Sequence, residues 1–134
     1  MDKSDLIRKR ENMQAQAAAA RQDAALLEEK IERLYRAKGR MEGVIEGAWQ
    51  HERKVAHIDF HPPSWKGTTN NKYLNHLHKI ESSVRQYVHH LRNTEDRLEE
   101  EIRRLANQLN EAQSNLSYLQ SYISNLSQEI VEGD

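Results

Sequence analysis

Apolar and small residues recur at alternating spacings of three and four along most of the chain. In the C-terminal half they are mainly leucine and isoleucine, over residues 84–130, with Glu95 as a polar member. In the N-terminal half many are alanine, over residues 13–55, with Lys38 and Glu52 as polar members. This heptad spacing gathers one row of side chains on one side of an α-helix, where the row packs against another helix. The sequence therefore predicts two long helices, each with a single apolar seam.

A proline-rich segment separates the two heptad rows. Pro62 and Pro63 end the first helix because proline lacks a backbone N–H and clashes with the preceding turn, and Thr68 or Thr69 can cap the second. We predict an all-α fold, a long antiparallel two-helix coiled-coil hairpin with a Pro-rich and Trp-Lys-Gly turn. The predicted single domain covers residues 1–134, with helix 1 at about 4–58, the turn at 59–68 and helix 2 at about 69–131.

A hairpin that folds near Ser64 has a definite pairing of its two arms. Residues whose numbers sum to about 128 then lie opposite each other, because both arms have the same rise per residue. In this register Leu6 is expected near Tyr122. Buried alanines of the first helix are expected opposite leucines of the second, since small side chains let two helix backbones approach.

The charges of the chain disfavour two classes of partner. Its 20 basic and 21 acidic side chains nearly cancel, so no net field attracts nucleic acid or an anionic membrane. No stretch approaches the roughly 20 apolar residues of a membrane span, and the N-terminus lacks the apolar core of a signal peptide. We therefore expect no nucleic acid partner, no membrane span and a cytoplasmic location, unless a partner carries the chain out of the cell.

The histidines are the candidate metal ligands, since cysteine is absent. The pairs are His57 with His61, His76 with His78, and His89 with His90. A zinc site needs several fixed ligands with buried support, which these spacings do not supply. The sequence also lacks a phosphate-binding loop and a nucleophile motif, and a two-stranded coiled coil offers no enclosed pocket. We expect no metal, no cofactor and no enzymatic activity.

Aromatic residues lie beside the heptad rows rather than within them. They are Tyr35 and Trp49 in the first predicted helix, and Tyr87, Tyr118 and Tyr122 in the second. Because aromatic side chains are typical anchors of protein interfaces, we expect them to bind a further helical partner. The alternative is that the rings fold over the sides of the hairpin's own seam.

Three glycines recur every four residues in the first helix. Gly39, Gly43 and Gly47 therefore lie along one side, where missing side chains permit close approach of another backbone. Each costs about 1 kcal/mol relative to alanine in a helix interior. A docking surface is the functional interpretation, and local flexibility or a bend near the hairpin tip is the alternative.

Trp65 and Gly67 lie at the break between the two predicted helices. Glycine can adopt backbone angles closed to other residues, and the indole can cover the exposed end of the seam. A Trp-x-Gly sequence at the turn of a small helical hairpin resembles the WXG superfamily of type VII secretion systems of Gram-positive bacteria. The chain is most similar to the longer members that accompany LXG-type toxins.

The resemblance implies a non-enzymatic accessory or targeting factor. Such a factor binds the N-terminal helical domain of an LXG-type toxin, a second small helical hairpin, or both, and promotes export. The family's export signal is an aromatic residue followed four positions later by an acidic one. Here Tyr118 is followed by Tyr122, and Tyr122 by Leu126, so a partner would have to supply that signal. The alternative is an intracellular scaffold or chaperone-like adaptor that forms homo-oligomers.

Overall fold

The computed structural model describes residues 2–56 and 68–133, which are helical apart from their ends. Helix α1 comprises Lys3–Ala56 and helix α2 comprises Thr68–Glu132. The two helices pack against each other in antiparallel directions, which confirms the predicted all-α helical hairpin. The predicted end of helix 1 near residue 58 lies outside the described residues. So does the predicted turn at 59–68, except for Thr68, where α2 begins.

The chain divides into two compact units, one built from its two ends and one from its middle. Unit 1 consists of Met1–Leu34 with Glu101–Asp134, and unit 2 consists of Tyr35–Glu100. The buried hydrophobic residues all belong to the two predicted heptad rows. In unit 1 they are Ala17, Ala20, Ala24, Ile102, Leu105, Leu119, Leu126 and Ile130, and in unit 2 they are Ile45 and Val88. Each unit is therefore held by one row of side chains from each helix.

In unit 1 an alanine-rich stretch of α1 packs against leucine and isoleucine of α2. Ala17 is 1% exposed, the lowest value in the core, and it lies beside Gln120 and Ile123. Lys9, one turn after Leu6 on the same side of α1, lies against Tyr122, so this stretch of α1 runs beside Tyr122. The predicted pairing of Leu6 itself with Tyr122 stays a prediction. Because alanine has little surface to remove from water, the larger α2 side chains supply most of the hydrophobic stabilisation here.

In unit 2 an ion pair joins the two helices beside the seam. Lys38 Nζ lies 2.8 Å from a carboxylate oxygen of Glu99, and both side chains are partly buried. The hydrogen bond to Glu99 raises the pKa of Lys38, while desolvation opposes this change. Lys38 is a polar member of the α1 heptad row, so this pair gives that residue a partner across the seam. Sliding the helices would separate the pair, and it therefore helps to fix the register.

Candidate docking surface

Unit 2 carries an open groove along one side of the paired helices. Its volume is about 420 Å³. The lining residues are Val44, Gly47, Ala48 and His51 from α1, and Ser83, Val84 and Tyr87 from α2. No Asp, Glu, Lys or Arg side chain is among them. Val44 is 46% exposed and Tyr87 is 52% exposed, so both side chains present apolar surface to solvent.

Helix periodicity explains how these side chains come together. Val44, Gly47 and His51 follow one another at spacings of three and four, which places them on the same side of α1. On α2, Ile80 precedes Tyr87 by two turns and is also exposed, so it continues the apolar surface along that helix. The groove between these rows is of the kind that accepts a ridge of side chains from another helix.

Gly47 leaves part of the groove empty. A Cβ atom built on this residue meets no atom within 4 Å. The space above Gly47 is therefore open to a side chain or a helix backbone from outside the hairpin. Of the predicted partner-binding residues, the structure brings Gly47 and Tyr87 together at this groove.

Tyr35 and Trp49 lie on other sides of α1. Tyr35 is nine residues before Val44, which corresponds to about half a revolution around the helix axis at roughly 100° per residue. It is exposed. Trp49 is five residues after Val44, about 140° away, and is half-buried. The structure therefore separates these two rings from the groove.

Gly39 and Gly43 lie on the solvent side of α1. A Cβ atom built on either residue meets nothing within 4 Å, so neither glycine makes room for a neighbour inside the hairpin. Both glycines are exposed, and neither is among the residues that line the groove. Helix α1 continues through all three glycines.

We expect Gly43→Ala to raise the free energy of unfolding by about 0.5–1 kcal/mol, because alanine has the higher helix propensity and the new methyl group meets open space. Urea denaturation followed by circular dichroism measures this change. Gly39→Ala is the matched variant and should behave alike. A loss of stability in both variants would contradict the open environment of these glycines.

Tyr118 and Tyr122 form a second aromatic surface, in unit 1. Their ring centroids are 6.1 Å apart, and Lys9 Nζ lies 5.0 Å from the centroid of the Tyr122 ring. This is cation–π geometry. A hydrogen bond to Tyr122 is the largest of the effects that raise the pKa of Lys9. Tyr122 is thus partly covered, whereas Tyr118 is exposed.

Two other kinds of site are absent from the described helices. Among residues 2–56 and 68–133, no group of three or more His, Cys, Asp or Glu side chains is placed to hold a metal ion. Neither helix has, in its described part, a stretch long and apolar enough to cross a membrane. His57 and His61, and the turn residues Trp65 and Gly67, lie outside the part of the chain that the structure describes.

Val44 and Ile80 belong to the apolar surface but were not among the predicted partner-binding residues. A signal for both is present in the sequence. Val44 and His51 are seven residues apart, as are Ile80 and Tyr87, so each pair repeats with the heptad but beside the main row. The spacing alone does not predict which of these side rows of α1 lies next to which side row of α2.

One comparison with known proteins gives a match. A family model described as YwqH-like matches residues 8–128, which include both the groove and the tyrosine pair. The comparisons with curated proteins and with solved structures give no match.

Proposed function

Because the chain belongs to the YwqH-like family, whose members are small helical proteins associated with LXG proteins, we propose that it is a non-enzymatic accessory factor of a type VII secretion system. In this proposal it binds the helical N-terminal region of an LXG-type toxin, alone or with a second small helical hairpin, and promotes export of the toxin. The further resemblance to the WXG superfamily depends on Trp65 and Gly67 and stays a prediction.

The observation that carries the proposal is the apolar groove in unit 2. Half-exposed Val44 and Tyr87 border open space above Gly47, and no charged side chain lines that space. A helix with an apolar ridge can fill such a groove by packing ridge into groove. Covering the exposed part of these side chains gains on the order of 1 kcal/mol each. Contacts beyond the groove are therefore needed to offset the entropy lost on association, and Ile80 extends the surface on α2.

The missing aromatic-to-acidic spacing fits an accessory role. Tyr118 and Tyr122 are not followed four residues later by an acidic residue. In this proposal the toxin or the second hairpin supplies the export signal, and this chain contributes the surface on which the complex assembles. Its location is then cytoplasmic before export, and the complex leaves through the secretion channel.

The test is binding to the helical N-terminal region of an LXG-type protein from the same genome. We expect Tyr87→Ala and Val44→Lys each to raise the dissociation constant at least about tenfold, because they remove or charge an anchor in the groove. Tyr35→Ala is the matched control. Tyr35 is also in unit 2 and 57% exposed, against 52% for Tyr87, but it lies outside the groove. Calorimetry measures the binding, and circular dichroism verifies that each variant is folded.

Two outcomes would overturn the proposal. One is that no complex forms with the toxin region at concentrations that support specific helix pairing. The other is that Tyr35→Ala weakens the complex as much as Tyr87→Ala does, since the groove would then have no special part in binding. A secretion assay in cells that lack this chain tests the export role separately: toxin release should fall and should return with the wild-type chain but not with Val44→Lys.

A further inference from the structure

Lysine and arginine residues border the groove of unit 2 on both helices. Two of them extend the α1 row of Val44 and His51, one turn beyond it at each end. Three others lie on α2 within about 80° of Tyr87 around the helix axis, at roughly 100° per residue. All five are exposed, and we call them the basic rim: Arg40 and Lys54 on α1, and Lys72, Lys79 and Arg97 on α2.

The acidic residues of unit 2 lie on other sides of the two helices. Glu42 and Glu46 are two residues before and two residues after Val44, which places each about 160° from it around α1. Glu52 and Glu95 belong to the heptad rows of the seam and are half-buried. The acidic residues of α2 outside its heptad row lie about 120° or more from Tyr87: Glu81, Asp96, Glu99 and Glu100.

Ion pairing also differs between the two sides of unit 2. Away from the groove, Arg53 pairs with Glu46 at 3.3 Å. No member of the basic rim forms a salt bridge with a carboxylate in the part of the chain that the structure describes. Toward the chain ends, the next acidic residues on these sides of the helices are Glu29 and Glu101, and each pairs with an arginine of its own helix. The groove is therefore bordered by positive charge that no described carboxylate neutralises.

We propose that the toxin segment bound in the groove is an acidic amphipathic helix, whose apolar ridge is flanked by aspartate or glutamate. This inference depends on the function proposed above and names the chemistry of the partner. In the complex, the ridge covers Val44 and Tyr87 and fills the space above Gly47. The flanking carboxylates of the partner lie beside the ridge, where they face the basic rim.

The centre of this surface favours a helix over a nucleic acid. Val44, Ile80 and Tyr87 are exposed apolar or aromatic side chains, and no Lys or Arg lies among the groove-lining residues. A phosphate backbone carries charge along its whole length, so it is matched by cations throughout the contact and not only at the edges. An amphipathic helix has the observed order of properties, with an apolar centre and charged edges.

The basic rim is expected to act mainly on the rate and specificity of association. Exposed ion pairs contribute little individually to affinity, because water and salt screen them. Together, charges of one sign attract a partner of the opposite sign before contact and disfavour partners of the same sign. The apolar groove then supplies the contact area, and the rim selects which helices occupy it.

Two synthetic helical peptides with the same leucine ridge test the proposal on the full chain. Glutamate flanks the ridge in one peptide and lysine flanks it in the other. We expect the glutamate peptide to bind at least about tenfold more tightly at low salt. Its advantage should shrink as sodium chloride is raised from about 50 mM to about 500 mM, because the rim is exposed. Tyr87→Ala should weaken binding of the glutamate peptide, since both peptides use the groove.

The double variant Arg40→Glu with Lys79→Glu removes positive charge from the rim on each helix. It should raise the dissociation constant of the glutamate peptide at least about tenfold, mainly by slowing association, and should strengthen binding of the lysine peptide. Arg85→Glu with Arg92→Glu is the matched control, because it changes the net charge equally on another side of α2, about 140° or more from Tyr87. It should leave the preference for glutamate in place. Surface plasmon resonance measures the rates, and circular dichroism verifies that the variants are folded.

Equal binding of the two peptides would overturn the inference. So would an equal loss of preference in the control variant, since net charge and not the rim would then be responsible. A duplex DNA fragment that displaces the glutamate peptide and binds more tightly would assign the rim to phosphate instead.

The toxin region itself separates this inference from the proposed function. A toxin complex that requires Tyr87 but is unchanged by Arg40→Glu with Lys79→Glu would leave the function in place and overturn the acidic partner. If the glutamate peptide bound as expected and the toxin region did not bind at all, the chemistry of the groove would stand and the toxin would be the wrong partner.

Discussion

Leu105→Ala is expected to lower the free energy of unfolding by about 2–4 kcal/mol, because it removes buried apolar surface and leaves a cavity in the seam of unit 1. Leu105 is 5% exposed and lies on α2 within the row that holds this unit together. Leu26→Ala is the matched control in the same unit. Leu26 is 49% exposed, so the identical change should cost less than about 1 kcal/mol. Urea denaturation measures both, and equal losses would contradict the assignment of the core.

Ala17→Leu is expected to destabilise the chain by about 1–3 kcal/mol, because the enlarged side chain has no space between the two helices. Ala17 is 1% exposed. On propensity alone the substitution would be nearly neutral, since alanine and leucine are both good helix formers. The effect therefore reports packing across the seam rather than helix formation.

Ala15→Leu provides the comparison for this second prediction. Ala15 is two residues away on the same helix and is exposed, so the added side chain points into solvent. We expect a change within about 0.5 kcal/mol. If the Ala17→Leu and Ala15→Leu variants had the same stability, the helices could not approach closely at Ala17.

The helices were predictable from the sequence because nearly every turn has an apolar or small residue at the heptad spacing. The residues buried in the structure, from Ala17 to Ile130, all lie in the predicted rows. The pairing of the helices was less accessible. Lys9, one turn after Leu6, lies against Tyr122. The exact pairing depends on how the connecting segment turns and on side-chain fit, and a period encodes neither.

The sequence indicated that a docking surface with aromatic residues exists, but it did not indicate where on the helices that surface lies. Exposed aromatic residues indicated a further partner, and the structure places Tyr87 at an apolar groove. Tyr35 has the same residue type and similar exposure, yet it lies about half a revolution from Val44 around α1. Which aromatic residue shares a groove with which glycine depends on the rotation of α1 against α2. That rotation is fixed by many small contacts along the seam.

Lys38 shows how a residue that weakens a pattern can add specificity to a fold. Lys38 is a charged residue in an apolar heptad row. Its Nζ atom lies 2.8 Å from a carboxylate oxygen of Glu99 on the other helix. Apolar rows alone tolerate a shift of one heptad, because similar side chains recur at every seventh position. A single cross-helix ion pair in unit 2 makes one of those registers preferable.

Amide hydrogen exchange should vary smoothly along the two helices, because each unit is held by a single row of buried side chains from each helix. A residue in a thick core is restrained from many directions, whereas here each turn is restrained mainly by the turns next to it and across from it. Opening then spreads from neighbour to neighbour, as in repeat proteins, and protection falls where local stability falls. The turns of α1 at Gly39, Gly43 and Gly47 are the intrinsically weakest stretch. A ligand that closes the groove at Gly47 therefore stabilises that stretch first, and slower exchange should extend outward from it along α1.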